Sequence, residues 1–229
     1  MWVVQLDSNK GKVRAVNQDS WVSETISLRG EKILLCGVAD GMGGHLSGDV
    51  ASRIAVTQLA RGVESSTEGI GFLETLAQGF KAANQAVYHE SLTREDCAGM
   101  GTTLTAALLY GDSLFLGHVG DSRAYGFSKH GFTRLTQDHS LVEELVRQGG
   151  LSLDDAEKHP QRNMLIKALG IEAEVDVDYA VVNIIDCQCV LFCTDGLTRL
   201  VSDAELESVL AVRDRSQVVK QLMDMALDR

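Results

Sequence analysis

The sequence predicts an α+β layered sandwich, in which mostly antiparallel strands are packed face to face and helices are segregated on the outside. Three observations predict it. Four apolar runs, TTLTAALLY, SLFLGHV, RAYGFS and FTRLT, follow one another between residues 102 and 136. They are separated by Gly-Asp, Gly-Asp-Ser and Lys-His-Gly turns, the pattern of an antiparallel meander. Helical stripes lie before and after this block rather than between its strands, and no linker or low-complexity segment divides the chain.

The elements follow in order. Trp2 to Leu6 reads as an opening strand and Lys32 to Ala39 as a second. Ser47 is placed as the N-cap of a helix whose Val50, Ala51, Ile54, Ala55, Gln58 and Leu59 recur at steps of three and four, with Gly62 as its stop. A longer helix carries a stripe of Leu73, Leu76, Phe80, Ala83 and Val87. After the meander, Leu141 to Arg147 is a short helix ending at Gly149-Gly150. Residues 150–170 mix a weak helix with the only proline, Pro160, and read as a flap. VDVDYAVV alternates with period two, and a turn at Asp186 feeds the CVLFC strand. Ser202 and Glu205 form a capping box for the next helix. Ser216 is placed as the cap of the last one, whose Val218, Leu222 and Met225 share a face.

Composition sets outer limits. The chain has 229 residues, 45% of them hydrophobic, enough for a single domain spanning 1–229 with a core that needs no disulfide staples. A formal charge of −11 argues against a nucleic-acid footprint, which needs a basic face. It does not exclude phosphorylated substrates, because bound divalent ions invert the local field. No apolar stretch approaches the ~20 residues that span a bilayer, and no signal-peptide pattern opens the chain, so the reading is no membrane and a cytoplasmic location. Five cysteines, an odd number, read as reduced thiols. Cys187, Cys189 and Cys193 lack the paired spacing of a zinc site and are assigned to core packing.

Chemistry concentrates at three strand ends that carry aspartate beside glycine: ILLCGVADGMGG, LFLGHVGDSRAY and CVLFCTDGL. Each alone is more readily a plain turn, and Arg14 alone a solvated charge. Together they suggest carboxylates converging on hard cations, which prefer oxygen ligands, few carboxylates and several waters. Asp40 with the Gly41 carbonyl, plus Asp195 from another strand end, suits two ions with Asp40 between them. Two metals ~3.5–4 Å apart activate a shared water for in-line attack on phosphorus. Arg14, five residues before Asp19, has the guanidinium that captures phosphate oxygens in a fork. For His139 in QDHS the sequence leaves the role open, the ordinary alternative being a cap-region hydrogen bonder with no catalytic part.

The blocks GKVRAVNQDS (11–20), VADGMGGHLSGDVAS (38–52), GMGTTL (99–104), GHVGDSRAY (117–125), LTQDHS (135–140) and LFCTDGL (191–197) occur in this order. In wording and spacing they resemble the type-2C family of metal-dependent serine/threonine protein phosphatases, in its compact bacterial branch. The resemblance implies a four-layer α-β-β-α sandwich with a dinuclear Mg²⁺ or Mn²⁺ centre at one edge, and it implies roles. Asp40 bridges the ions, the Gly41 carbonyl binds one and Asp195 the other. Asp19 contacts metal-bound water, Arg14 holds the substrate phosphate, and Asp121 contributes to a third, weaker ion. The implied reaction is direct hydrolysis of phosphoserine and phosphothreonine in phosphorylated proteins by the bridging water. That reaction opposes protein kinases in signal transduction, a cognate Ser/Thr kinase or its substrates being the natural partners and the enzyme a monomer. The alternatives are a non-catalytic phosphatase-like binding module and a small-molecule phosphatase that differs only in the flap.

Two departures from the family pattern stand out. Met42 occupies the place where some eukaryotic members carry a histidine proposed to protonate the leaving group, so a metal-bound water is the expected acid, with His45 nearby as a weaker candidate. The chain also stops at Arg229, where the family's final Asp-Asn turn and strand are expected. The expectation is a truncated domain that lacks one metal ligand, with weakened binding at the second ion, an uncovered sheet position and reduced activity.

Overall fold

The computed structural model describes residues 2–66, 69–212 and 214–229, and within these not the side chains of residues 44–46, 153, 154 and 157. In chain order the strands are β1 (Asp19–Leu28), β2 (Glu31–Met42), β3 (Gly101–Thr102), β4 (Leu104–Tyr110), β5 (Ser113–Val119), β6 (Arg123–Ser128), β7 (Gly131–Arg134), β8 (Asp178–Asn183) and β9 (Cys187–Cys193). The helices are α1 (Gly44–Glu64), α2 (Phe72–Thr93), α3 (Leu141–Arg147), α4 (Leu153–Lys158), α5 (Asp195–Thr198), α6 (Asp203–Leu210) and α7 (Val218–Leu227). One sheet runs β1-β2-β4-β5-β8, with β3 also paired to β2, and the other runs β7-β6-β9. Every pairing is antiparallel.

Side-chain alternation along the strands builds four layers. Ile33 and Leu35 of β2, and Leu104, Ala106 and Leu108 of β4, face the α1–α2 pair, where they meet Leu59, Leu76, Phe80 and Val87. The opposite faces of β2 and β4 give Leu34, Cys36, Ala107 and Leu109, and β5 adds Leu114 and Leu116. These pack on Ala124, Leu135 and Phe192 of the second sheet region. The outer face of that sheet gives Tyr125, Cys189, Leu191 and Cys193, which α6 and α7 cover with Leu206, Leu210, Val218 and Leu222. Three apolar seams therefore hold four layers together, as period-two burial requires. All five cysteines are free; Cys189 and Cys193 share the outer seam, while Cys187 faces the middle one across a bulge between Phe127 and Ser128.

Several expectations need correction. The supposed meander is two hairpins in different sheets: β4–β5 belongs to the first, β6–β7 to the second, and the chain crosses between them at Gly120–Ser122. Each run had the same turn chemistry, and local pattern does not encode which sheet a hairpin joins. Trp2 to Leu6 forms no strand and is exposed, because no sheet edge pairs with it. Conversely, β1 went unread: Glu24, on the face that buries Val22 and Ile26, is exposed and breaks the alternation. Helix α1 begins at Gly44, so Ser47 lies inside it and is buried, and it runs to Glu64, past Gly62. Gln217 rather than Ser216 stands at the start of α7, while the Ser202–Glu205 capping box on α6 forms as expected. Residues 164–170 are stitched to the body: Leu141 N–H donates to Met164, Ile166 N–H to His139, and Thr102 and Leu169 exchange backbone bonds of 3.0 and 2.9 Å.

Gly117 sits where β5 meets α2; a Cβ there would stand 2.5 Å from Cε2 of the fully buried Phe80. At Gly126 in β6 the nearest atoms would be 3.7 Å away. Gly117→Ala is therefore expected to cost about 1–3 kcal/mol by overpacking, and Gly126→Ala to stay within about 0.5 kcal/mol. Urea midpoints at constant m-value check both, and equal effects would contradict this account.

Candidate metal centre

The site is assembled at the rim where both sheets end. Asp19 opens β1 and pairs in register with Asp40, near the end of β2. The backbone of Asp40 is clamped by the adjacent threonines: its N–H donates to Thr103 Oγ1 (2.8 Å), and its carbonyl accepts from Thr103 N–H (2.9 Å) and Thr102 Oγ1 (2.9 Å). Thr103 Oγ1 lies 2.7 Å from Ser122 Oγ, tying the Asp40 strand to the turn that carries Asp121. Asp195 enters from the second sheet, directly after β9, and the preceding Thr194 hydroxyl donates to Asp19 Oδ2 at 2.9 Å. Four carboxylates from four separate stretches thus line one rim.

Gly41 is required by contact. A Cβ at Gly41 would stand 1.7 Å from the Gly48 carbonyl oxygen, and one at Gly48 2.6 Å from the Gly41 oxygen. The strand end and the first turns of α1 touch backbone to backbone, which only paired glycines permit. Gly41 N–H is taken by the Gln18 carbonyl at 2.9 Å. Met42 ends β2 opposite Gly101 and has no proton to give. The side chain of His45 lies outside the described residues.

The electrostatics are those of crowded anions. Burial, then the charges of Asp195 and Asp19, push the Asp40 carboxyl up to about 9. Burial followed by Asp195 and Asp138 raises Asp121 to about 7, against the lowering influence of Arg199. Asp19 is raised mainly by burial, in spite of the Thr194 hydrogen bond. Among the described residues, no three His, Cys, Asp or Glu side chains already converge on one point as a preformed cage. A Mg²⁺ or Mn²⁺ centre does not demand one, since such ions take one or two carboxylates, a carbonyl and several waters. The all-oxygen donor set and its excess of negative charge, only partly offset by Arg199, fit a hard divalent cation.

Arg14 is exposed on the turn after Gly11 and lines the same large groove as Asp19, Asp40, Asp121 and Asp195. The candidate residues thus line one large groove, Arg14 exposed and the aspartates partly buried. The QDHS block proves architectural. The Gln137 carbonyl lies 2.8 Å from His118 Nε2, and Asp138 accepts from Arg123 and Arg134. His139 Nδ1 accepts from Gly120 N–H (3.1 Å), which puts its proton on Nε2, 3.2 Å from Asp178 Oδ2. Ser140 caps α3. His139 therefore fixes the turn that presents Asp121, in agreement with the hydrogen-bonding alternative. Sequence reasoning missed Thr103, Thr194 and Arg199. Arg199 lies four residues after Asp195, a spacing that signals pairing on one helical turn, and its guanidinium contacts Asp195 Oδ2.

The protein phosphatase 2C family model matches residues 10–227. This chain belongs to the protein phosphatase 2C family. It is 40% identical over 207 residues to the serine/threonine phosphatase stp of Listeria monocytogenes, covering 89% of this chain and 81% of that one. The crystal structure of the serine/threonine phosphatase Stp1 from Staphylococcus aureus superposes with a TM-score of 0.89 at 31% identity, over 98% of this chain and 88% of that one. The catalytic domain of the serine/threonine protein phosphatase PstP, solved with two manganese ions, gives a TM-score of 0.81 at 32% identity, over 97% of this chain and 90% of the other. Membership makes the chain a metal-dependent serine/threonine phosphatase and settles the choice between enzyme and binding module in favour of the enzyme. No described helix is long and apolar enough to cross a membrane.

The Asp40 carboxyl lies at about 9 in the folded chain without metal, far above its ordinary 3.8. As pH rises, the unfolded chain gives up this proton first, so this group favours folding at low pH and opposes it progressively toward pH 9. His118, lowered to about 4 mainly by burial, acts with the opposite sign: its contribution is lost as pH falls below 6.5 toward 4. His118 is common to wild type and variant and cancels between them. In chelator at pH 8, Asp40→Asn is expected to melt above wild type by at least about 2–4 °C, the shift ~1 kcal/mol produces at this chain length. The gap should shrink at pH 5, and an unchanged gap would count against the repulsion.

Proposed function

We propose that this phosphatase hydrolyses phosphoserine and phosphothreonine in cytosolic proteins as a monomer, opposing protein kinases in signalling. The observation that carries the reading is that Asp19 and Asp40 pair in register, Thr194 beside Asp195 bonds Asp19, and all three aspartates line one groove with Gly41 and Arg14. Asp40 and Asp195 would each hold a divalent ion, Mg²⁺ or Mn²⁺, with the Gly41 carbonyl as a neutral ligand and Asp19 acting through water. When bound, the ions supply an activated water and offset charge building on the phosphoryl oxygens. Arg14 offers two parallel N–H donors to the phosphate, which orients the ester for in-line displacement. Thr194 holds the Asp19 carboxylate in place, and the Thr103 clamp keeps Asp40 from retreating out of the site. Met42 removes one protein acid for the leaving alkoxide, so water is the proton source in this reading.

Support for a protein substrate over a small molecule lies in the relatives, which include a serine/threonine phosphatase and a serine/threonine protein phosphatase. Turnover of a phosphothreonine peptide with Mn²⁺ tests the assignment. Asp40→Asn should abolish it. Arg14→Ala should lower kcat/KM on the order of 10- to 100-fold, the worth of a charged hydrogen-bonding pair. An Arg14→Ala variant as active as wild type would remove Arg14 from the phosphate site.

A further inference from the structure

Arg199, like Asp121 beside it, is a charged side chain at this centre that the dinuclear scheme leaves unused. It stands directly after the four-residue helix α5, and Asp195 opens that helix. Its Nη2 contacts Asp195 Oδ2 and lies 3.8 Å from Asp121 Oδ2, so one guanidinium nitrogen reaches carboxylates delivered by different parts of the fold. Asp195 follows β9 of the second sheet, whereas Asp121 sits at the crossover between sheets. Both acids are largely buried, with side chains 19% and 13% exposed, while the Arg199 side chain keeps 43% of its surface in solvent. The guanidinium thus spans Asp195, read as a ligand of one catalytic ion, and Asp121, to which the family resemblance assigns a third, weaker ion.

We propose that Arg199 is a resident cation that takes the place of the accessory third ion between Asp121 and Asp195. The inference rests on the dinuclear reading above. The charge balance favours it. Asp19, Asp40, Asp121 and Asp195 carry four negative charges when ionised, and two divalent ions already cancel them. With Arg199 present, a third ion would enter a site of net positive charge, beside a cation it cannot displace by dilution because the chain tethers it. Arg199 also draws on Asp195, so it competes with the catalytic ion for one carboxylate oxygen. The consequence is an enzyme that saturates with two ions and binds the one at Asp195 less tightly than its carboxylates alone would allow.

Counting Mn²⁺ bound per chain, by equilibrium dialysis and calorimetry on the purified protein, tests this. Wild type should bind two ions and show no third at millimolar Mn²⁺. Arg199→Gln should gain a third, or bind the second at least about 5-fold more tightly, and Arg199→Lys should follow wild type. In chelator, Arg199→Gln should melt below wild type, because the carboxylates lose their counter-charge. Wild type binding three ions, or Arg199→Gln with wild-type stoichiometry and affinities, would overturn the proposal. Should Arg199→Gln not fold, Asp121→Asn decides: an unchanged count of two supports a resident arginine, and loss of an ion overturns it. Fewer than two ions on wild type would instead sink the dinuclear reading, an outcome separate from any difference between wild type and variant.

Discussion

The crowding of four carboxylates, Asp19, Asp40, Asp121 and Asp195, at one rim is the constraint on which the rest of this structure depends. Burial first, and neighbouring carboxylate charge after it, pushes the Asp19, Asp40 and Asp121 carboxyls upward. They stay together because their backbones have nowhere else to go. Asp40 is pinned on both sides of its peptide by Thr102 and Thr103, and Gly41 is wedged against Gly48. Packing and backbone hydrogen bonds supply the force that holds unfavourable charge in place, the condition for tight binding of hard cations.

The second sheet exists, in functional terms, to bring two of those four acids to the rim. The crossover at Gly120–Ser122 carries Asp121 from one layer toward the other, and the end of β9 carries Asp195. Both are fixed by polar partners deeper in the sandwich. His139 holds the Gly120 peptide, Thr105 and Ser122 link the crossover to β4, and Thr194 reaches back to Asp19 on the first sheet. A motif such as QDHS, which contributes no group to the chemistry, shapes the site through these bonds. Arg199 extends the same logic to the surface, where a tethered positive charge adjusts the field that mobile ions meet.

Much of the fold was legible in the sequence because the period-two runs and Asp-Gly turns are local signals. The strands from Leu104 to Arg134, the long α2 stripe and the Ser202–Glu205 cap all formed where their residues indicated. What failed were features set by distant partners. Trp2 to Leu6 has strand-like residues but no edge to pair with, and β1 has an edge but an interrupted pattern. Of the site, Asp40, Gly41, Asp121 and Asp195 were readable because each closes an apolar run, whereas Asp19 was singled out only through the family resemblance. Thr103 and Thr194 were not, since a threonine beside a strand end has many ordinary uses.

The sequence by itself determined the chemistry: which carboxylates, which carbonyl and which arginine are available, and that strand ends present them. Those properties live within a few residues of one another, and the polypeptide backbone fixes them locally. Only the tertiary structure decided that two hairpins belong to different sheets, that Asp121 and Asp195 therefore face one another, and that Arg199 lies across both. Such contacts depend on which apolar faces pack together, and packing is a property of the whole chain rather than of any segment of it.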